Sequence, residues 1–101
     1  MRDYEIVIII SPDVVEEEVP GTIEKVGQFI TSRGGEVGEV NRWGRRKLAY
    51  PIRRCTEGNY VVTQFKLDPT QVADLEASME LTEEVMRYLV VRKEEGEGAA
   101  P

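Results

Sequence analysis

The run Tyr4 to Ile10, YEIVIII, limits the fold more tightly than any other part of the chain. A strand with one face in water alternates apolar and polar residues, and this one carries β-branched apolar side chains on both sides. It therefore belongs in the middle of a sheet, paired along both edges. The remaining elements have to be arranged around it.

After that strand, Asp13 with Glu16 three residues on has the form of a capping box, and Val19, Ile23, Val26 and Ile30 recur at helical spacing until Gly34-Gly35 stops the helix. Pro20 complicates the start. A proline beyond the first turn costs about 3 kcal/mol, so either the regular helix begins near Glu17 or an irregular turn precedes it. A second extended stretch runs from Glu36 to about Ile52, anchored by Val37, Val40, Trp43, Leu48, Tyr50 and Ile52, with Gly44 marking a bend or bulge. Cys55 to Asn59 offers turn chemistry, and Asn59 to Leu67 alternates as a strand, so the two strands form a hairpin. Asp68-Pro69 supplies an N-cap and a first-turn proline, followed by Val72, Leu75 and Met79 on one helical face. Val85 to Arg92 reads as a fourth strand, and residues 94–101 read as a disordered acidic tail behind a domain spanning 1–93.

Strand, helix, strand, strand, helix, strand is the ferredoxin-like βαββαβ order of the α+β class. It predicts a four-stranded antiparallel sheet, order 4-1-3-2, with two helices on one face. Alternation then turns Ile6, Ile8, Ile10, Phe65, Leu67, Tyr88 and Val90 to the helices, and Val7, Ile9, Val62, Leu89 and Val91 to the open side. An uncovered apolar patch built on Val7, Ile9, Val62 and Leu89 is a candidate protein-partner surface.

The chemistry available is narrow. The chain has no histidine and one cysteine, Cys55, which excludes an internal disulfide, a zinc site and any Ser-His or Cys-His triad. Glu16 to Glu18 and Glu83-Glu84 read as solvated acids, and Gly34-Gly35 lacks the Lys-Ser/Thr of a phosphate loop. An acylphosphatase-like site would need a phosphate cradle at Ser11-Pro12-Asp13, where proline removes an amide and aspartate repels the anion. No enzyme, cofactor, metal or small-molecule substrate is expected. A hydrophobic share of 41% without a membrane-length apolar run, and an N-terminus unlike a cleaved signal, place the chain in the cytoplasm.

What the sequence does carry is uneven charge. The net charge is −6, yet RWGRRKLAYPIRR from Arg42 to Arg54 holds six of the 13 basic residues and no acid. On a strand, Arg45 and Lys47 lie two apart and point the same way, a ladder able to follow a phosphate backbone. Tyr50 reads as core; Trp43 fits either core or a stacking surface for an unpaired base. The sheet order also brings Arg2 near Arg92 and Lys93, with Arg87 further along strand four on the open side. Together these predict one positive docking edge for a polyanion.

MRDYE at 1–5, Ser11-Pro12, Gly34-Gly35, WGRRKLAYPI from Trp43 to Ile52, Gly58-Asn59-Tyr60 and VMRYLVVRK near the end make the chain resemble the bacterial small-subunit ribosomal protein S-six family over nearly its whole length. The resemblance implies a ferredoxin-like protein that binds the central domain of small-subunit ribosomal RNA together with ribosomal protein S-eighteen, in an assembly role. By position in the family's pattern, Arg2, Tyr4, Arg45, Arg46, Lys47, Arg87, Arg92 and Lys93 would approach RNA.

Overall fold

The computed structural model describes residues 1–93 and is built on β1 (Arg2–Ile10), which pairs antiparallel with β3 (Cys55–Leu67) on one side and β4 (Val85–Lys93) on the other. β2 (Glu36–Ile52) pairs with the outer side of β3, giving one antiparallel sheet in the order β2-β3-β1-β4. Helices α1 (Val19–Ser32) and α2 (Val72–Leu81) complete the ferredoxin-like βαββαβ arrangement expected from the element order. The proposed tail, 94–101, lies outside the described residues.

Register fixes the two faces. Tyr4, Ile6 and Ile8 stand opposite Phe65, Thr63 and Val61, and these side chains are buried in a core completed by Val19, Val26 and Ile30 of α1 and Leu75 and Met79 of α2. Val7 and Ile9 stand opposite Val62 and Tyr60 on β3, and opposite Leu89 and Arg87 on β4, so the other face of β1 looks away from the helices. A one-residue slip would exchange these sets, which is why the register of a doubly paired strand is so strongly specified.

Two local details differ from what the residue pattern predicts, and a third decides between the alternatives it left open at Pro20. Asp13 caps nothing: its backbone N–H donates to Ser11 Oγ at 3.2 Å, and a short 3-10 turn over Glu16–Glu18 starts at Val15 without any side-chain cap. That turn resolves the problem of Pro20, because α1 begins only at Val19 and the proline occupies its first turn, where no N–H is needed. The hairpin turn also moves. Cys55 to Asn59 belongs to β3, and the reversal is made by Arg53 and Arg54 alone, at φ 50° and 66°. Two consecutive left-handed residues match the right-handed twist of a hairpin, and for non-glycine residues that conformation costs roughly 1–2 kcal/mol each. By contrast, Asp68 accepts from Thr70 N–H at 2.9 Å with Pro69 behind it, as its sequence context predicts.

Gly35 shows how closely α1 and the sheet approach. A Cβ there would stand 2.5 Å from the backbone oxygen of Lys66 and 2.9 Å from Leu67, so the helix-to-strand turn can close only over a missing side chain. Gly35→Ala should therefore lower stability by about 1–3 kcal/mol through overpacking. Gly21→Ala, with nothing within 4 Å of the added carbon, should raise it by about 0.5–1 kcal/mol through helix propensity. Urea midpoints of the two variants should move in opposite directions.

Lys25 of α1 reaches Glu84, just before β4, at 2.5 Å, and this hydrogen bond holds the Glu84 carboxyl below its ordinary range. The backbone and side-chain donors of Thr70 do the same to Asp68. A carboxylate with a depressed folded pKa adds stability above its unfolded value of about 4, and loses it as pH falls through the folded one. Acid titration of the urea midpoint should decline below about pH 4, and E84Q combined with D68N should flatten that decline.

Candidate nucleic-acid interface

Beyond the end of β1 the β2–β3 hairpin continues on its own and carries most of the basic run. Arg45, Arg46 and Lys47 lie opposite Asn59, Gly58 and Glu57. Arg45 and Lys47 thus share a side, as expected, while Arg46 projects to the other. Arg45 is partly engaged within the molecule, donating to the Pro12 carbonyl at 3.2 Å and standing 3.9 Å from Glu57. Arg42 is paired with Glu16 at 2.6 Å. Among the described residues no ion pair joins Arg46, Lys47 or Arg54 to a carboxylate, and all three side chains are exposed.

The aromatic residues of the hairpin are not core. Trp43 is 52% exposed, lies nearly parallel to Tyr60 at 6.2 Å between ring centroids, and has the Arg46 guanidinium 5.4 Å from its own centroid. Tyr50, expected inside, is 54% exposed. Its hydroxyl accepts from Arg87 and its ring faces the same guanidinium, so a β4 residue and a β2 residue clasp each other across the end of β1. Arg53 makes a second tie, donating to the carbonyls of Glu83 at 3.0 Å and Val85 at 3.4 Å. Sequence reasoning missed this tie; its signal was a doubled arginine directly after Pro51-Ile52 at a reversal that lacks glycine and asparagine.

The remaining basic candidates lie elsewhere. Arg92 stands opposite Tyr4 and Lys93 opposite Asp3, close to the exposed Arg2. These occupy the start of β1, whereas the hairpin overhangs its end. From end to end this strand of nine residues, rising about 3.3 Å per step between neighbours, separates the two groups by roughly 25 Å. The single docking edge inferred from charge is therefore two basic groups with Arg87 nearer the hairpin. Tyr4 drops out of the interface altogether: it is 6% exposed and stacked on Phe65 at 5.6 Å, because its position on β1 turns it toward the helices.

The open-face apolar patch is also smaller than its sequence suggests. Ile9 and Val62 are buried within the chain itself, and Gly58 allows the hairpin so close that a Cβ there would meet Ile9 Cγ2 at 2.5 Å. Val7 is half-buried, and Leu89, 59% exposed, and Val91 supply the accessible apolar surface.

The loop between β1 and the first turn offers no phosphate cradle. Ser11 N–H donates to Glu84 O at 2.8 Å, Val14 N–H to Ser11 O at 3.1 Å and Asp13 N–H to Ser11 Oγ, so those amides are already used.

A family model described as ribosomal protein S6 matches residues 3–92 of this chain. The chain belongs to the ribosomal protein S6 family. It is 41% identical over 95 residues to small ribosomal subunit protein bS6 of Moorella thermoacetica, covering 94% of this chain and 97% of that one. It is 43% identical over 95 residues to the bS6 of Caldanaerobacter subterraneus, covering 94% of this chain and 100% of the relative. The crystal structure of 30S ribosomal protein S6 from Thermotoga maritima superposes with a TM-score of 0.89 at 36% identity, over 97% of this chain and 92% of that one. Membership makes it a structural protein of the small ribosomal subunit in the cytoplasm, and not an enzyme.

Arg53 and Arg54 separate charge from architecture. Each alanine substitution removes one positive charge at a left-handed position, but only R53A breaks the tie to Glu83 and Val85. R53A should lower stability by about 1.5–3 kcal/mol, the range for hydrogen bonds to a charged group, and R54A by less. Thermal melts of the two proteins would read the difference.

Proposed function

We propose that this S6-family protein binds the central domain of small-subunit ribosomal RNA jointly with ribosomal protein S18, and that its task is assembly. The observation that carries this reading is the hairpin: Arg46 and Lys47 stand exposed, without carboxylate partners among the described residues, beside a half-exposed tryptophan, in a chain whose net charge is −6. Such side chains neutralise phosphates and release counterions. Arg45 and Arg87 join them, and Arg2, Arg92 and Lys93 form a second group at the other end of β1. Two groups roughly 25 Å apart, from a nine-residue strand, engage separate stretches of backbone, so RNA already folded to that spacing is preferred.

S18 docks on the open sheet face through Leu89, Val91 and the exposed part of Val7, with Ile9 and Val62 forming the floor beneath. An acidic molecule generates little long-range attraction for RNA by itself. A basic partner completes the positive surface, so RNA binding alone is weak and binding of the pair is tight.

Replacing Arg45, Arg46 and Lys47 together by Ala should reduce the salt dependence of ribosomal RNA binding by up to about one unit of log K per log salt for each phosphate no longer neutralised. An unchanged slope means those bases touch no phosphate. Leu89→Glu, at an exposed position, should leave the melting temperature unchanged and weaken capture of S18. Full S18 binding by that variant would remove the open face from the interface. Leu89 is the right position to probe because a charge at buried Val62 would unfold the chain.

A further inference from the structure

We infer that Trp43 is a stacking platform for one unpaired nucleobase, with Arg46 as the group that meets the adjoining phosphate. This rests on the RNA-binding reading above and adds the class of nucleotide that the hairpin takes.

The backbone is arranged to present this ring. Pairing between β2 and β3 shifts register between Arg42 and Gly44, and Gly44 has φ +82°, a conformation open to glycine. The extra residue in that bulge is Trp43, and bulges of this kind re-aim a side chain out of the regular alternation. β2 is an edge strand, where a large exposed aromatic invites aggregation and a charged residue would protect. An indole at this position is therefore poorly explained by folding alone.

Its surroundings match a nucleotide. Tyr60 lies 10° from parallel and supports the indole from the neighbouring strand, which fixes the plane of the ring before any ligand arrives. Arg46, 5.4 Å from the ring centroid and free of any carboxylate ion pair among the described residues, has only the indole as its partner. A base that stacks on the indole takes the place of that guanidinium, which then turns to the phosphate of the same nucleotide. Both interactions come from residues three apart on one strand. A paired base is covered by its neighbours in the helix, so the ligand has to be unpaired. Because every base offers a flat π face, the platform selects single-stranded character more than sequence.

The chain has one tryptophan, so fluorescence excited at the red edge of the indole band, where tyrosine does not absorb, reports on Trp43 alone. The full-length protein is titrated at low salt with a single-stranded adenylate dodecamer and with an abasic ribose-phosphate strand of equal length and charge. Quenching by adenylate and little quenching by the abasic strand is the expected result. The variants lack the fluorophore, so their affinities are read from the anisotropy of a dye-labelled adenylate strand: W43A should bind roughly 5- to 150-fold more weakly, the range of one base stack, with the salt slope unchanged, and W43F should retain most of the affinity. Circular dichroism verifies that both variants fold; if W43A does not, the comparison of W43F with W43L decides. Equal quenching by the two strands, no binding of either, or aliphatic variants within about two-fold of the parent overturns the stacking. Ribosomal RNA capture is measured separately, so stacking can fail while the RNA-binding reading stands. A loss of S18 binding in W43A with adenylate binding intact would reassign the ring to the protein interface.

Discussion

The pairing of β1 on both edges is the constraint from which the remaining structure follows. A strand with isoleucine on both faces cannot rest at the margin of a sheet, and its placement between β3 and β4 satisfies its backbone groups on both sides at once. Ile6, Ile8 and Ile10 then form the floor on which α1 and α2 pack, while Val7 and Ile9 begin the open face. Antiparallel registry with two neighbours also determines which residues of β3 and β4 reach each face. The functional surface is thus set by the core strand, though the core strand contributes no charge to it apart from its first residues.

The hairpin is the part that β1 does not hold. β3 from Cys55 to Gly58 lies beyond the register shared with β1, so there β2 and β3 pair with each other, Gly58 packs against Ile9, and a few long side chains tie down the rest. Arg53 and Arg87 supply that support by reaching from hairpin to β4 and from β4 to hairpin. Arginine suits this use, since its fork meets backbone carbonyls and its planar face lies against tyrosine. A hairpin tied down by its side chains is preorganised, and under the proposed function less ordering is left to be done on association with RNA.

The sheet, its order and its two faces were legible in the sequence because they depend on periodicity, and periodicity is local. The hairpin turn was not. Thr-Glu-Gly-Asn has the composition of a turn, yet Gly58 is there so that the strand can approach Ile9, and Arg53-Arg54 accept left-handed angles that composition alone would assign to glycine or asparagine. Tyr50 and Tyr4 were misplaced for a related reason. Which side of a strand faces the helices follows from register, and register through an irregular β2 passes several shifts that no single-sequence pattern reveals. Tyr4 could have been placed, because alternation from Ile6 already turns it inward. The basic residues were legible as a group, but their division into two ends was not, because it depends on how far the hairpin overhangs the end of β1.

An acidic protein of an RNA-rich assembly looks like a contradiction until charge is mapped onto the fold. Glu16 to Glu18, Glu24, Asp74 and Glu80 are exposed along the helical layer, while Arg46, Lys47 and Arg54 are exposed on the hairpin. Coulomb attraction to phosphate at one surface is matched by repulsion at the other, so an approaching RNA applies a torque as well as a force. Net negative charge weakens the encounter and at the same time removes the wrong orientations from it, since any pose that brings the helices to the backbone is penalised. Orientation matters more than affinity for a component that has to fit one place in a large complex. The distribution of charge, with its negative sum, is suited to that requirement.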